Sequence, residues 1–264
     1  MSEPANLPRS WHKFLLPLLV AIQFLTRVPV PSQSYEADAL SRAAKFFPFV
    51  GLLIGASAGL LHFLLAPHVP RLIAALLVLI YLVCITGCLH EDGLADAADG
   101  FGGGWSREQI LAIMRDSRIG SYGAVALTLS LLARLLLISS LPLAHVAQYL
   151  VAAHVLCRWT TLPLSFYLPP ARAQSDDQEI DGQGARLAQL TTRGTLIAGT
   201  LFSFTIVAIV LRSGALLPIL AAAGATLLSA RYYRRRIGGV TGDCFGATNQ
   251  LTEIAVYLCG VWTV

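Results

Sequence analysis

Seven stretches of this chain come close to the roughly 20 consecutive apolar residues that cross a bilayer. They are 47–66, 72–89, 122–141, 146–168, 194–211, 215–230 and 247–264. Hydrocarbon leaves no water to satisfy backbone amides, so each must close its own hydrogen bonds as a helix. The alternating short segments of an outer-membrane barrel are absent from the pattern. Composition agrees: 55% of the 264 residues are hydrophobic and 13% are charged, where a soluble domain carries about 25% charge. The expected fold is an all-α polytopic membrane bundle, one domain over residues 1–264, with about seven transmembrane helices. A further apolar stretch, 14–25, is shorter and holds Pro17. No small-residue cleavage site follows it, so it reads as a short N-terminal interfacial or re-entrant helix rather than a signal peptide.

Charge is distributed unevenly between the loops. Segments 1–46, 90–121, 169–193 and 231–246 hold 15 of the 19 basic residues, and the alternate loops hold only Arg71 and Arg212. Such an excess puts the long segments on the cytoplasmic side. The chain is therefore expected to be a multi-pass protein of the cell inner membrane, with its polar segments on the cytoplasmic face. The cysteines Cys84, Cys88, Cys157, Cys244 and Cys259 show no disulfide framework and read as small apolar residues. The stretch 173–184 reads as a solvated acidic loop.

The segment HEDGLADAADGFGGG, residues 90–104, places acids at the end of an apolar run. On a helix Asp92, Asp96 and Asp99 fall within about 60° of one another, a single stripe, and Glu91 falls about 100° from Asp92. Three like charges on one stripe repel unless something neutralises them, and a hard divalent cation such as Mg²⁺ or Mn²⁺ takes oxygen ligands of this kind. Gly102 and Gly103 let the backbone come close to a ligand. Acids, a divalent ion and a close backbone together point to phosphate chemistry.

Two more polar stretches share that face. In MRDSRIGSYG, residues 114–123, Arg115 and Arg118 suit forked contacts to phosphate oxygens, and Asp116 suits a further metal ligand. In GDCFGATNQLTE, residues 242–253, Asp243, Asn249 and Glu253 lie where a loop enters the last apolar segment. Acids inside a membrane are functional candidates, although Glu253 also suits an Arg–Glu pair between helices. Arg158 is open to both readings in the same way, and Arg134 suits a structural pair or a snorkelling side chain.

Five motifs in order carry a family resemblance. They are TRVPVP (26–31), FPFVG (47–51), HEDGLADAADG (90–100), DSRIGSYG (116–123) and GDCFGA (242–247) with Glu253. Together they resemble the cobalamin synthase family, the adenosylcobinamide-GDP ribazoletransferases, over about residues 22–255. The resemblance implies transfer of the adenosylcobinamide phosphate moiety to α-ribazole or its 5′-phosphate, with release of GMP and a requirement for Mg²⁺. It implies that Asp92, Asp96, Asp99, Asp116, Arg118 and Asp243 sit at functional positions. On that basis Asp92, Asp96 and Asp99 are expected to be catalytic, with Asp99 as proton acceptor. Asp92, Asp96, Asp99 and Asp116 are expected to hold metal. Arg27, Arg115, Arg118, Asp243, Asn249, Glu253, Gly102 and Gly103 are expected to contact substrate. Homo-oligomers and association with pathway enzymes are further expectations, and no nucleic-acid partner is expected.

Two other readings start from the same features. A CDP-alcohol phosphotransferase also uses helix-spaced aspartates, but Phe101-Gly102-Gly103 follows Asp99-Gly100 where that signature wants x₂-Ala-Arg. A transporter is expected to show repeated halves and a midplane site, and neither is visible here.

Overall fold

The computed structural model describes residues 9–30, 39–172 and 191–262, and in 9–14 the backbone alone. Every regular element among them is helical. They are α1 (Arg9–Leu25), α2 (Ala39–Ala43), α3 (Phe47–Leu65), α4 (Arg71–Thr86), α5 (Leu89–Gly103), α6 (Arg107–Ile113), α7 (Ser121–Ser140), α8 (Val146–Trp159), α9 (Thr161–Tyr167), α10 (Arg193–Leu211), α11 (Leu216–Ile237) and α12 (Gly242–Trp262). The stretch 173–184 and Pro31 lie outside the described residues.

By length and composition three helical runs suffice to cross a membrane: Ala39–Leu65, Ser121–Ser140 and Arg193–Ile237. A fourth is added if α4 and α5 count as one bent span. This is fewer than the seven stretches read from hydropathy. One reason is that α8 has 14 residues and α4 has 16, each below the roughly 20 that a straight crossing takes. Another is that Arg193–Ile237, with 45 residues, turns back on itself. The chain reverses at the 3-10 turn Arg212–Ala215, where Arg212 takes φ 51°. Both ends return to α9: Thr191 Oγ1 lies 2.8 Å from Ser165 Oγ, and Arg234 donates to the Tyr167 carbonyl at 2.9 Å.

The bundle is apolar outside, and its largely apolar core also encloses charged groups. Only 17–44% of each apolar window is buried, and Leu60, Phe63, Leu129, Leu201, Ile209 and Leu228 are exposed. Arg134, Arg158, Glu91 and Glu253 are buried instead. An apolar exterior over a charged interior is what lipid selects, since only inside can ionised groups find partners.

Glycine sets the closest helix contacts. Gly51, Gly55 and Gly59 recur every fourth residue on α3 and lie along one edge of α8. A Cβ at Gly51 would come 2.1 Å from the His154 carbonyl oxygen, and one at Gly55 would come 2.6 Å from Val151 Cα. Small residues at this spacing let two membrane helices approach to backbone contact. Between α4 and α5 the axis bends by 86°. The bend is built from two consecutive left-handed residues, Gly87 at φ 62° and Cys88 at φ 60°. It turns the acidic helix α5 down beside α7 and α12. The residues 14–25 predicted as a short helix fall in α1, which contains Pro17. Of the cysteines expected to be buried, Cys157, Cys244 and Cys259 are, while Cys84 and Cys88 are exposed.

Candidate active site

The acidic stripe on α5 forms as its spacing predicts, but its three members meet different surroundings. Asp92 is exposed, Asp96 is half-buried and Asp99 is buried. The difference comes from the helices α5 packs on. Asp99 Oδ2 accepts the N–H of Gly120 at 2.7 Å, and Oδ1 accepts that of Gly123 at 2.9 Å. The carboxylate thus caps the N-terminus of α7, where unpaired amides and the helix dipole favour an anion. Gly120 and Gly123 leave room for it, since a Cβ at either would lie within 2.4 Å of an Asp99 oxygen. Each Asp99 oxygen thus accepts one α7 amide, which ties the carboxylate to the start of that helix.

A further acid reaches α5 from α12. Gly93 on α5 faces Gly246 on α12, with a Cβ on either only 3.1–3.2 Å from the other's Cα. The same contact sets Asp243 against α5, where a Gly93 Cβ would lie 3.2 Å from Asp243 Cα. Asp96 consequently sits in the field of Asp243, Asp92 and Asp99, with Arg172 as the opposing charge. Arg172 Nη2 is 3.8 Å from Asp243 Oδ2, and Thr241 Oγ1 donates to that oxygen at 3.2 Å.

Arg172 is held there by a short parallel bridge. Val240 N–H donates to the Pro169 carbonyl and Ala171 N–H to the Val240 carbonyl, both at 2.9 Å. Arg107 ties the bridge to α6, donating to the carbonyls of Ile237 at 2.9 Å and Ala171 at 2.6 Å. Arg236 donates to the Gly104 carbonyl at 2.9 Å, closing the end of α5, and lies over the rings of Phe101 and Tyr232. Sequence reasoning missed Arg107 and Arg236 in these roles. Only their place in the basic loops marked them.

The remaining predicted residues divide. Asp116 binds Arg118 through both carboxylate oxygens, with Nη2 at 2.6 Å and Nε at 2.9 Å, on an exposed loop. This pair holds the Asp116 carboxyl down at about 2. Asp116 is therefore engaged by Arg118. Arg115 is exposed on the same loop. Arg27 is exposed at the break between α4 and α5; its N–H donates to the Ile85 carbonyl at 2.7 Å and its Nη2 to the Gly87 carbonyl at 3.4 Å. Gly102 packs on the Tyr122 ring, which a Cβ would meet at 2.6 Å. Gly103 is exposed beside it.

Asn249 is 2% exposed, with Oδ1 lacking any hydrogen-bond partner. Glu253 is also buried, and it serves the interior. Arg134 Nε donates to Glu253 Oε1 at 3.0 Å and its Nη1 to Glu91 Oε1 at 2.6 Å; Gln250 bridges Arg134 and Glu91. Tyr257 donates to Glu253 at 3.1 Å. This network ties α5, α7 and α12 together, the Arg–Glu pairing between helices that the sequence also suited.

Metal-binding capacity can be judged from the oxygens. Asp92, Asp96 and Asp243 offer hard donors at one helix crossing, with no described side chain bonded to Asp92 or Asp96. No three of these oxygens lie within 4.8 Å of one another among the described residues. That suits Mg²⁺, which takes one or two carboxylates and completes its shell with water and substrate phosphates. The one tight cluster of ligand types, His154, Cys157 and Glu253, suits a cation poorly: Arg158 Nη1 already lies 2.9 Å from His154 Nδ1, and Arg134 occupies Glu253.

Comparison with known proteins decides the family. The cobalamin-5-phosphate synthase pattern matches residues 17–261. The chain belongs to the cobalamin-5-phosphate synthase family. It is 40% identical over 257 residues to the adenosylcobinamide-GDP ribazoletransferase of Shewanella frigidimarina, covering 94% of this chain and 95% of that one. It is 38% identical over 255 residues to the enzyme of that name from Shewanella amazonensis, covering 91% and 92%. The Ralstonia nicotianae enzyme of that name is 38% identical over 264 residues, covering 93% and 95%. No solved structure matches the chain. Membership of the cobalamin-5-phosphate synthase family sets aside the phospholipid-synthesis and transporter readings.

Proposed function

We propose that this chain transfers the adenosylcobinamide phosphate moiety of adenosylcobinamide-GDP to α-ribazole or α-ribazole 5′-phosphate, releasing GMP. The observation that carries the reading is the crossing of α5 and α12, which gathers Asp92, Asp96 and Asp243 beside Arg172 within a family whose members bear that enzyme name. The bond formed joins the cobinamide-side phosphorus to the ribose 3′-oxygen. The bond broken is the pyrophosphate bridge, whose electron pair leaves with GMP.

Asp92 and Asp243 would hold Mg²⁺, which when bound supplies charge neutralisation to the pyrophosphate oxygens. Arg172, beside Asp243, would be a cation for phosphate oxygens, with Arg118 a second one on the 114–120 loop. Asp96, free of described side-chain donors, accepts the proton of the attacking hydroxyl. Asp99 positions the Gly120–Gly123 turn through its two amide bonds.

The reading includes seven crossings: α3, the bent pair α4–α5, α7, α8 with α9, α10, α11 and α12. Support comes from the antiparallel run of α3 and α8, with Gly59 beside Ala147 and Gly51 beside His154. It also includes a cytoplasmic position for the mouth in the inner membrane, supported by the basic residues around it, and a single domain, supported by one continuous buried core.

The test uses the purified chain in lipid nanodiscs with Mg²⁺, adenosylcobinamide-GDP and α-ribazole. Stoichiometric GMP and adenosylcobalamin are expected, and their absence from a folded, monodisperse sample would overturn the reading.

A further inference from the structure

Arg158 is the second fully buried arginine, at 1% exposure, and its surroundings differ from those of Arg134. Its Nη1 lies 2.9 Å from His154 Nδ1 and 3.3 Å from both the His154 carbonyl oxygen and Cys157 Sγ. No described carboxylate forms an ion pair with it, and Arg134 holds the nearby Glu253. Its Nε and Nη2 are buried without a hydrogen-bond partner. These two N–H groups form one edge of the planar guanidinium, the edge that grips two oxygens of a phosphate or carboxylate in parallel.

A buried charge is kept only where something pairs with it. The stem of Arg158 is fixed by α3, because a Cβ at Gly51 would lie 3.0 Å from Arg158 Cδ. Its position is thus set by packing and leaves the fork unused. His90 lies within its electrostatic reach, and His90 Nε2 is also buried without a partner. His90 stands on α5 two residues before Asp92, on the helix that carries the acids.

We propose that the Nε–Nη2 edge of Arg158 is an oxyanion seat that takes a phosphate group of a substrate. The proposal rests on the transferase reading above, which offers two sources of phosphate: the pyrophosphate of the GDP-linked donor and the 5′-phosphate of a phosphorylated acceptor.

The experiment uses the full chain in nanodiscs, wild type, Arg158→Lys and Arg158→Gln. Lysine keeps the charge and removes the fork. KM is measured for adenosylcobinamide-GDP, α-ribazole and α-ribazole 5′-phosphate, and the thermal midpoint is followed against inorganic phosphate, with chloride at equal ionic strength as control. Both variants are expected to raise KM about tenfold or more, a loss of about 1.4 kcal/mol, for the substrate whose phosphate sits in the fork. Phosphate is expected to stabilise the wild type and to lose that effect in Arg158→Lys. A rise for adenosylcobinamide-GDP assigns the seat to the donor. A rise for α-ribazole 5′-phosphate but not for α-ribazole assigns it to the acceptor. Unchanged KM for all three in a folded Arg158→Lys enzyme overturns the proposal, as does a wild type that phosphate does not stabilise more than chloride. If the wild type binds phosphate through Arg158 but turns over no substrate, the transferase reading fails and the seat stands.

Discussion

Gly93 and Gly246 meet where α5 crosses α12, each so close that a Cβ would lie 3.1–3.2 Å from the other's Cα. The contact decides which acids share a site, because it brings Asp243 to α5. Gly246→Val is expected to push the helices apart, costing about 1–3 kcal/mol by overpacking and separating Asp243 from Asp96. GMP release is expected to fall more than about tenfold while membrane insertion persists. Wild-type turnover in Gly246→Val would refute this account of the crossing.

The acids at the crossing differ from the one beside it. Asp92→Asn, Asp96→Asn and Asp243→Asn are each expected to lower kcat by about 10²-fold or more, with little change in thermal midpoint. Asp99→Asn removes a charged cap from α7 and is expected to cost about 1–2 kcal/mol of stability, with a smaller loss of kcat. Steady-state kinetics and denaturation on the same four samples check the division. A stable, inactive Asp99→Asn would return Asp99 to the catalytic group.

Arg134 stands between two buried carboxylates, Glu91 and Glu253. Removing it leaves both acids without their cation in the interior, which typically costs about 3–5 kcal/mol. Arg134→Met is expected to lower the yield of folded protein sharply, while Glu91→Gln, which keeps the shape and a hydrogen-bond acceptor, is milder. Detergent-resistant folding measured by size exclusion distinguishes the two.

Asp116 titrates under the influence of Arg118, whose hydrogen bonds hold it at about 2. A depressed folded value means that the pair's contribution is complete above the ordinary carboxylate range and fades as pH falls toward about 2. Carboxyl NMR of Asp116 is expected to show the low midpoint, and Arg118→Ala is expected to return it toward ordinary values. An unshifted midpoint in the parent protein would show that the pair does not persist in solution.

Chelation tests the oxygen donors directly. EDTA is expected to abolish GMP release and Mg²⁺ to restore it, with affinity for Mg²⁺ weakened in Asp92→Asn and Asp243→Asn. Full activity in excess EDTA would rule out a dissociable ion.

The sequence by itself determined that the chain is helical and membrane-embedded, that three aspartates share one stripe of α5, and that five ordered motifs mark its family. Apolar run length and helical period are local properties, so they can be read without knowing what packs on what. The tertiary structure alone decided which member of the stripe faces a helix N-terminus, that Asp243 packs against α5 while Glu253 turns to Arg134, and that one edge of Arg158 is left without a hydrogen-bond partner. Those outcomes depend on the 86° bend at Gly87 and Cys88 and on the glycine contact between α5 and α12. A helical period says which side chains share a face, and only the crossing of two helices says what that face meets.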